Sequence, residues 1–256
     1  MQTTYDNNMK KIRMKILYFI LWFFISATSI AYADPFTIPE KFVYDLTWTG
    51  IKAGTASLEL INDGDKLKII STAQSAKWVS VFYTVDDRVE STLFKNPADS
   101  FPWQPEKYRI RIREGRHRRD KEVVFDRKTN KATFKDYINN ERKDFDLPVT
   151  VFDPISSFYY LRTLKLEAGK SVYVTVFDSK KVWNVEIQVL RKERISLPTG
   201  TFNTIVVKPL MKSEGIFYRK GEILIWLTDD IKHIPVKLQA KVAVGSITAT
   251  LVNGNY

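Results

Sequence analysis

The chain contains no cysteine. That absence excludes a disulfide framework, a lipid-modified N-terminal cysteine, a thiol nucleophile and any zinc site built on thiolates. It also fits a bacterial envelope protein better than a eukaryotic secreted one. Histidine is nearly as scarce, with only His117 and His233, which leaves few bases for nucleophilic or metal chemistry. No G-x-S-x-G, H-E-x-x-H or G-x-x-x-x-G-K-[ST] occurs, and each of those spacings is what its chemistry needs. Beyond residue 33 there is no apolar run long enough to span a bilayer as a helix, which takes about 20 residues. Internal repeats and low-complexity stretches are missing too. No catalytic residue, metal or cofactor is expected, and the protein reads as a non-enzyme.

What is present begins with a leader. Lys10, Lys11, Arg13 and Lys15 run into the apolar stretch Ile16–Ile30, and Ala31-Tyr32-Ala33 has the A-x-A form cut by signal peptidases. The reading is a signal peptide over 1–33, cleaved after Ala33, and a single β-rich periplasmic domain over 34–256 with no membrane span of its own. An uncleaved anchor is the alternative, and Met9 or Met14 could serve as the start in place of Met1.

The net charge is +11, and residues 1–33 carry those four basic side chains against Asp6, which leaves +8 for the rest. Most of it is local. Between Lys107 and Lys121 stand eight Lys or Arg against Glu114 and Asp120, so the protein has a basic patch and is not basic throughout.

Apolar residues alternate with polar ones at period two, which in an extended chain lines them up on one face. Phe42, Tyr44, Leu46 and Trp48 do so, as do Tyr108, Ile110 and Ile112, and Trp183, Val185, Ile187 and Val189. Turn signals at Gly50, Asp63-Gly64-Asp65, Glu114-Gly115, Pro198-Thr199-Gly200, Lys220-Gly221 and Gly245 separate the runs. Connections this short imply antiparallel neighbours. The expected fold is mainly all-β, a large meandering antiparallel sheet of about a dozen strands, curled or half-barrel in form because so many strands seldom stay flat. One or two short helices are expected to interrupt it. One is expected over Ser75–Tyr83, capped by Ser75, with Trp78, Val81 and Phe82 at helical spacing. The other opens at Asp153-Pro154, a capping Asp followed by a proline pre-set for the first turn, with an apolar stripe of Ile155, Phe158, Leu161 and Leu164. Strands that are apolar on both faces, Val172–Phe177 and Ile223–Leu227, are read either as ordinary core or as the wall of an apolar concavity.

Several phrases resemble, in order and spacing, the bacterial exported proteins grouped as domain of unknown function 3108: Trp48-Thr49-Gly50-Ile51-Lys52-Ala53-Gly54, Ser157-Phe158-Tyr159-Tyr160-Leu161-Arg162, Gly200-Thr201-Phe202-Asn203-Thr204, Trp226-Leu227-Thr228-Asp229-Asp230 and Pro235-Val236. The resemblance implies a β-rich fold and a periplasmic location in a Gram-negative bacterium. It brings no activity and no catalytic residues.

The candidate site is the basic hairpin: Lys107, Arg109, Arg111, Arg113, Arg116, Arg118 and Arg119. Repeated on one strand face and continued in the returning strand, these cations are expected to sit about 5 Å from like charges, where repulsion is destabilising. Such crowding points to an anionic ligand: a lipid head group, lipopolysaccharide or an acidic polysaccharide, or an envelope protein partner. A solvated edge hairpin that deters aggregation is the bland alternative, and nucleic acid is not expected outside the cytoplasm. Three lesser clusters are weighed. Asp86, Asp87 and Glu90 read as structural carboxylates, Asp87 falling on the apolar face and calling for a partner such as an Arg. Asp229, Asp230 and His233 read as a turn before Pro235 more than as metal ligands. Ser156 and Ser157 would need a base to act as hydrolase nucleophiles. An assembly partner of other envelope proteins and a hydrolase are the runner-up functions.

Overall fold

The computed structural model describes residues 36–96, 101–210, 222–242 and 244–256. The leader read over 1–33, the start at Asp34 and the turn at Lys220-Gly221 lie outside the described residues. β-Branched and aromatic residues, enriched in the alternating runs, favour a half-buried pleated surface, and fourteen strands form among the described residues. They are β1 (Glu40–Trp48), β2 (Ile51–Asp63), β3 (Lys66–Ser75), β4 (Asp86–Lys95), β5 (Trp103–Glu114), β6 (His117–Asp126), β7 (Lys131–Asp136), β8 (Glu141–Asp146), β9 (Ser171–Asp178), β10 (Lys181–Leu197), β11 (Gly200–Leu210), β12 (Ile223–Thr228), β13 (Pro235–Lys241) and β14 (Ser246–Asn255). They make one antiparallel sheet in the order β8-β7-β6-β5-β4-β3-β2-β1-β14-β13-β12-β11-β10-β9. The sheet is therefore two meanders, β1–β8 and β9–β14. Every ladder joins strands consecutive in sequence except β1 with β14, which runs from Lys41 opposite Asn255 to Trp48 opposite Ile247.

The edge strands β8 and β9 are not paired with each other, so the sheet does not close into a barrel. Side chains bridge the seam instead: Lys180 meets Glu141 at 2.6 Å, and the rings of Phe145 and Phe177 lie 5.4 Å apart. Backbone around Phe152 adds a short parallel bridge to β9, the Phe152 N–H donating to the Thr175 carbonyl at 2.9 Å and the Phe177 N–H donating to the Phe152 carbonyl at 2.8 Å. The β9 edge is thus partly satisfied.

Among the described residues two helices occur, α1 (Lys77–Ser80) and α2 (Pro154–Thr163). Among the described residues, no helix is long and apolar enough to cross a membrane. The expected helix over Ser75–Tyr83 is only one turn. Ser75 does not cap it: its hydroxyl lies 2.7 Å from that of Ser80 and accepts from Val85 N–H, closing the loop. The spacing of Trp78, Val81 and Phe82 does not record a buried face either, since all three are exposed.

The Asp153-Pro154 helix forms as read, with a full capping box. Asp153 accepts from the N–H groups of Ile155 and Ser156, and the Ser156 hydroxyl accepts from Asp153 N–H. The expected one-sided stripe is corrected, because α2 packs against β4 on one flank and β9 on the other. Tyr159 and Arg162, both off the stripe, are its most buried large side chains. Tyr159 and Leu161 belong to the main core with Leu67, Ile69 and Leu93 from one meander and Val174, Ile187, Ile205, Ile225 and Leu227 from the other. The space that could have been an apolar concavity is occupied along α2 by these side chains.

Arg162 is fully buried and forms a two-pronged bond with buried Glu40 of β1, Nη1 to Oε2 at 2.6 Å and Nη2 to Oε1 at 2.8 Å. The guanidinium lies 4.9, 5.3 and 5.0 Å from the rings of Phe36, Phe42 and Tyr159. Its remaining donors reach the Lys232 carbonyl, and its own carbonyl meets His233 Nδ1 at 2.8 Å. Removing one member of such a pair leaves a bare buried charge, for which the cost is about 3–5 kcal/mol. Glu40→Gln is therefore expected to lower the unfolding free energy by about that amount in urea titration, whereas the double change Glu40→Leu with Arg162→Met recovers most of the loss.

Candidate anion-binding face

The hairpin β5–β6 exposes one face of its strands to solvent and turns the other, with Tyr108, Ile110 and Val123, into a buried cluster. Because direction alternates along a strand, the seven candidate cations do not share a face. Lys107, Arg109, Arg111, Arg113 and Arg118 are on the outer face. Arg119, opposite Ile112, is on the inner one, and Arg116 sits in the turn.

The expected like-charge crowding is also corrected over much of the outer face. Arg109 lies opposite Glu90 of β4 and Glu122 of β6, and Glu122 lies opposite Lys135 of β7. One row across four strands thus alternates in sign, the arrangement that stabilises cross-strand pairs. Lys107 holds Glu122 at 2.7 Å, Arg109 pairs with Asp120 and stacks 4.3 Å over the Tyr137 ring, and Arg88 holds Glu90 at 2.5 Å. Burial alone would raise the Glu122 carboxyl, but Lys107 and the Tyr137 hydroxyl outweigh it and hold the group below its ordinary range. Glu90 is lowered likewise, Arg88 and Lys68 outweighing burial.

Compensation fades toward the hairpin tip. Arg111 lies opposite Arg88 on one side and Asp120 on the other, and Asp120 is already engaged by Arg109. One row further, Arg113 faces Arg118. Arg111, Arg113, Arg116 and Arg118 are all exposed, and none has a carboxylate within ion-pair distance among the described residues. Beside them a shallow cleft of about 210 Å³ is lined by Lys68, Glu90, Thr92, Lys107, Arg109 and Arg111, four cations to one carboxylate. Chemically this surface can hold an anion by charge and guanidinium hydrogen bonds.

The inner face near the tip carries a carboxylate pair that the alternation only half revealed. Asp87 does fall on the inner face, but its specific partner is the backbone N–H of Arg113, which donates to Oδ1 at 2.9 Å. Burial raises both Asp87 and Glu114 above the ordinary range. At Asp87 the Arg113 N–H and a hydrogen bond with Glu114 work against that rise while the charge of Asp86 adds to it; at Glu114 the neighbouring Asp87 adds to it, and Arg119 is a partial offset at both. Sequence could not pair positions on separate strands.

The other clusters are structural. Asp153 and Ser156 are spent on the helix cap, and Asp153 also accepts from Ser91 at 2.6 Å. Ser157 donates to the Pro154 carbonyl. Neither histidine reaches these serines: Arg119 Nε–H donates to Nε2 of His117, and His233 sits against the Arg162 carbonyl. Asp230 accepts from Thr228 and from the N–H groups of Lys232 and His233, as a turn requires, while Asp229 pairs with Lys192. Among the described residues no group of three or more His, Asp or Glu is placed to hold a metal ion.

The model of the family "protein of unknown function (DUF3108)" matches residues 43–252. The chain belongs to that family. The DUF3108 phrases in this sequence now have places in the fold. Thr49-Gly50 is a two-residue hairpin turn with φ of 49° and 91°, the conformation a tight β-hairpin demands. Gly54 lies so close to the Gln74 carbonyl that no side chain fits. Trp226 donates to Glu193, and the Pro235 carbonyl accepts from Tyr44 at 2.8 Å. Among curated proteins, none matches the chain. Among solved structures, a β-barrel-like protein of domain of unknown function DUF1849 from Brucella abortus is similar, with a TM-score of 0.52, 14% identity, and coverage of 85% of this chain and 97% of that one. This likeness concerns the fold alone. A protein with a YmcC-like fold from Bacteroides fragilis (TM-score 0.33, 10% identity, 86% and 97% covered) is too distant to bear on it.

For Asp87 and Glu114 the linkage has a definite sign. A carboxyl raised by folding takes up protons between its ordinary value and its folded one, so the stability it lends is present at low pH and is lost as pH rises through that window. Glu114→Gln should flatten this component. The difference in urea midpoint between wild type and variant, followed from about pH 4 to about pH 7, is expected to move in the variant's favour as pH rises.

Proposed function

We propose that this is an exported protein of the bacterial cell envelope that works by binding and not by catalysis, offering the tip of its β5–β6 hairpin to an anionic partner: lipid, lipopolysaccharide, glycan or protein. The observation that carries this reading is the gradient of compensation. The cations in the middle of the strands are spent on Glu90, Glu122 and Asp120, whereas Arg111, Arg113, Arg116 and Arg118 stand exposed at one end and, among the described residues, have no carboxylate within ion-pair distance. Deterring aggregation at a sheet edge does not account for them, since β5 and β6 are interior strands, paired on both sides. The leader read over 1–33 supports export to the periplasm as one domain beginning at Asp34, and the capping and turn roles of Ser156, Ser157 and Asp230 favour a binding protein over a hydrolase.

Capture on beads coated with lipopolysaccharide or an acidic polysaccharide tests the reading. The triple change Arg111→Gln, Arg113→Gln, Arg116→Gln, at exposed positions where substitution leaves stability nearly unchanged, is expected to weaken capture about tenfold or more and to flatten its salt dependence. Capture that is equally strong and insensitive to salt in the variant would overturn it.

A further inference from the structure

The hairpin tip does not stand alone at its end of the sheet. The β1–β2 turn, α1 with the loop after it, the β5–β6 turn and the β13–β14 turn all emerge there, and they touch in series. Trp48 Nε1–H donates to the Val244 carbonyl at 2.9 Å, and Thr49 N–H to Ser246 at 3.0 Å, joining the β13–β14 turn to the β1–β2 turn. Trp78 Nε1–H donates to the Lys52 carbonyl at 3.0 Å and Ala76 N–H to Ala53 at 2.7 Å, joining α1 to β2. Gly115 N–H donates to Thr84 at 2.7 Å, and the Tyr83 ring lies so close over Gly115 that a Cβ there would stand 2.6 Å from it.

Along this continuous rim the apolar side chains face water. Phe82 is 85% exposed, Val81 76%, Val244 69%, Ile51 61%, Trp78 47% and Trp48 42%. Single exposed apolar residues need no explanation, but a contiguous set of aromatics and aliphatics marks a contact surface. Its neighbours identify the contact. Lys77 and the uncompensated Arg113, Arg116 and Arg118 border the apolar stretch, so an occupant must offer apolar depth beside negative charge. Both indole N–H groups on this rim are already satisfied by backbone carbonyls, so the two rings can leave water without stranding a donor. Aromatic rings and basic side chains side by side are what the interface of a bilayer accommodates, the rings at the boundary of the acyl chains and the cations among the head groups.

We propose that this rim docks the protein edge-on to an anionic phospholipid bilayer, with Val81 and Phe82 entering the interface and the hairpin-tip arginines meeting lipid phosphates. This deepens the anion-binding reading and rests on it for the charge component only. The loop after α1 is the leading point, because its two apolar residues are consecutive and the most exposed.

Co-sedimentation of the purified protein with vesicles of phosphatidylglycerol and phosphatidylethanolamine, beside vesicles of phosphatidylcholine alone, tests this. Wild type is expected to partition onto the anionic vesicles, less so as salt rises, and to show a blue shift of tryptophan emission from the rim. Val81→Ser with Phe82→Ser is expected to reduce partitioning about tenfold or more, the loss anticipated when two apolar side chains no longer leave water, while capture on lipopolysaccharide or polysaccharide beads through the arginines persists. An unchanged urea midpoint shows that the variant is folded. Overturning results are these: equal partitioning of the double serine variant, no partitioning of wild type, indifference to phosphatidylglycerol, or a wild-type dimer in sedimentation equilibrium that the serine variant dissolves. If the serine variant binds vesicles normally and the arginine triple does not, the rim is refuted and the anion-binding face stands. If bead capture also survives the arginine triple unchanged, both fall.

Discussion

The buried pair between Arg162 and Glu40 joins parts of the chain that no ladder joins. Among the described residues, twelve of the thirteen strand pairings connect neighbours in sequence, and only the β1–β14 ladder couples the two meanders. Arg162 comes from the helix that links the meanders, Glu40 opens β1, and the Lys232 carbonyl and His233 ring that complete the cluster lie in the β12–β13 turn of the second meander. A charge in an apolar interior is tolerated only with its opposite beside it and its donors satisfied. The arrangement therefore admits one relative placement of helix, first strand and second meander. The aromatic shell of Phe36, Phe42 and Tyr159 excludes water from it.

From that placement the rest follows. With α2 held between β4 and β9, apolar side chains of both meanders close on it, and the curl of the sheet brings Phe145 of β8 against Phe177 of β9. Curling makes the inner face of the β5–β6 hairpin a core wall and leaves its outer face to solvent, where charge is welcome. On that outer face the register brings acids of β4 and β6 beside the bases of β5 in mid-strand, but not at the tip. Uncompensated cations remain where the pairing of opposite signs runs out.

Much of the architecture was legible because period-two alternation is a direct record of which side of a sheet is wet. Tyr108, Ile110 and Ile112 announced β5, and Asp153-Pro154 announced α2 through capping chemistry that acts within four residues. Failures came where the deciding contact was distant in sequence. The alternating charges on Glu90, Arg109, Glu122 and Lys135 depend on the register of three hairpins, so a strand read alone shows only its own sign. Glu40 and Arg162 stand 122 positions apart, and a helix packed on two flanks shows no single apolar stripe to mark its buried arginine. Trp78, Val81 and Phe82 matched helical spacing without packing, because their environment is a surface and not a core.

The pairing of Lys41 with Asn255 also puts the start of β1 beside the end of β14. Both lie at the pole opposite the aromatic rim, since β1 runs from Glu40 up to Trp48 and β14 descends from Ser246 to Asn255. The two strand ends are thus held side by side, a full strand length away from the turns that carry the tryptophans and the hairpin-tip arginines.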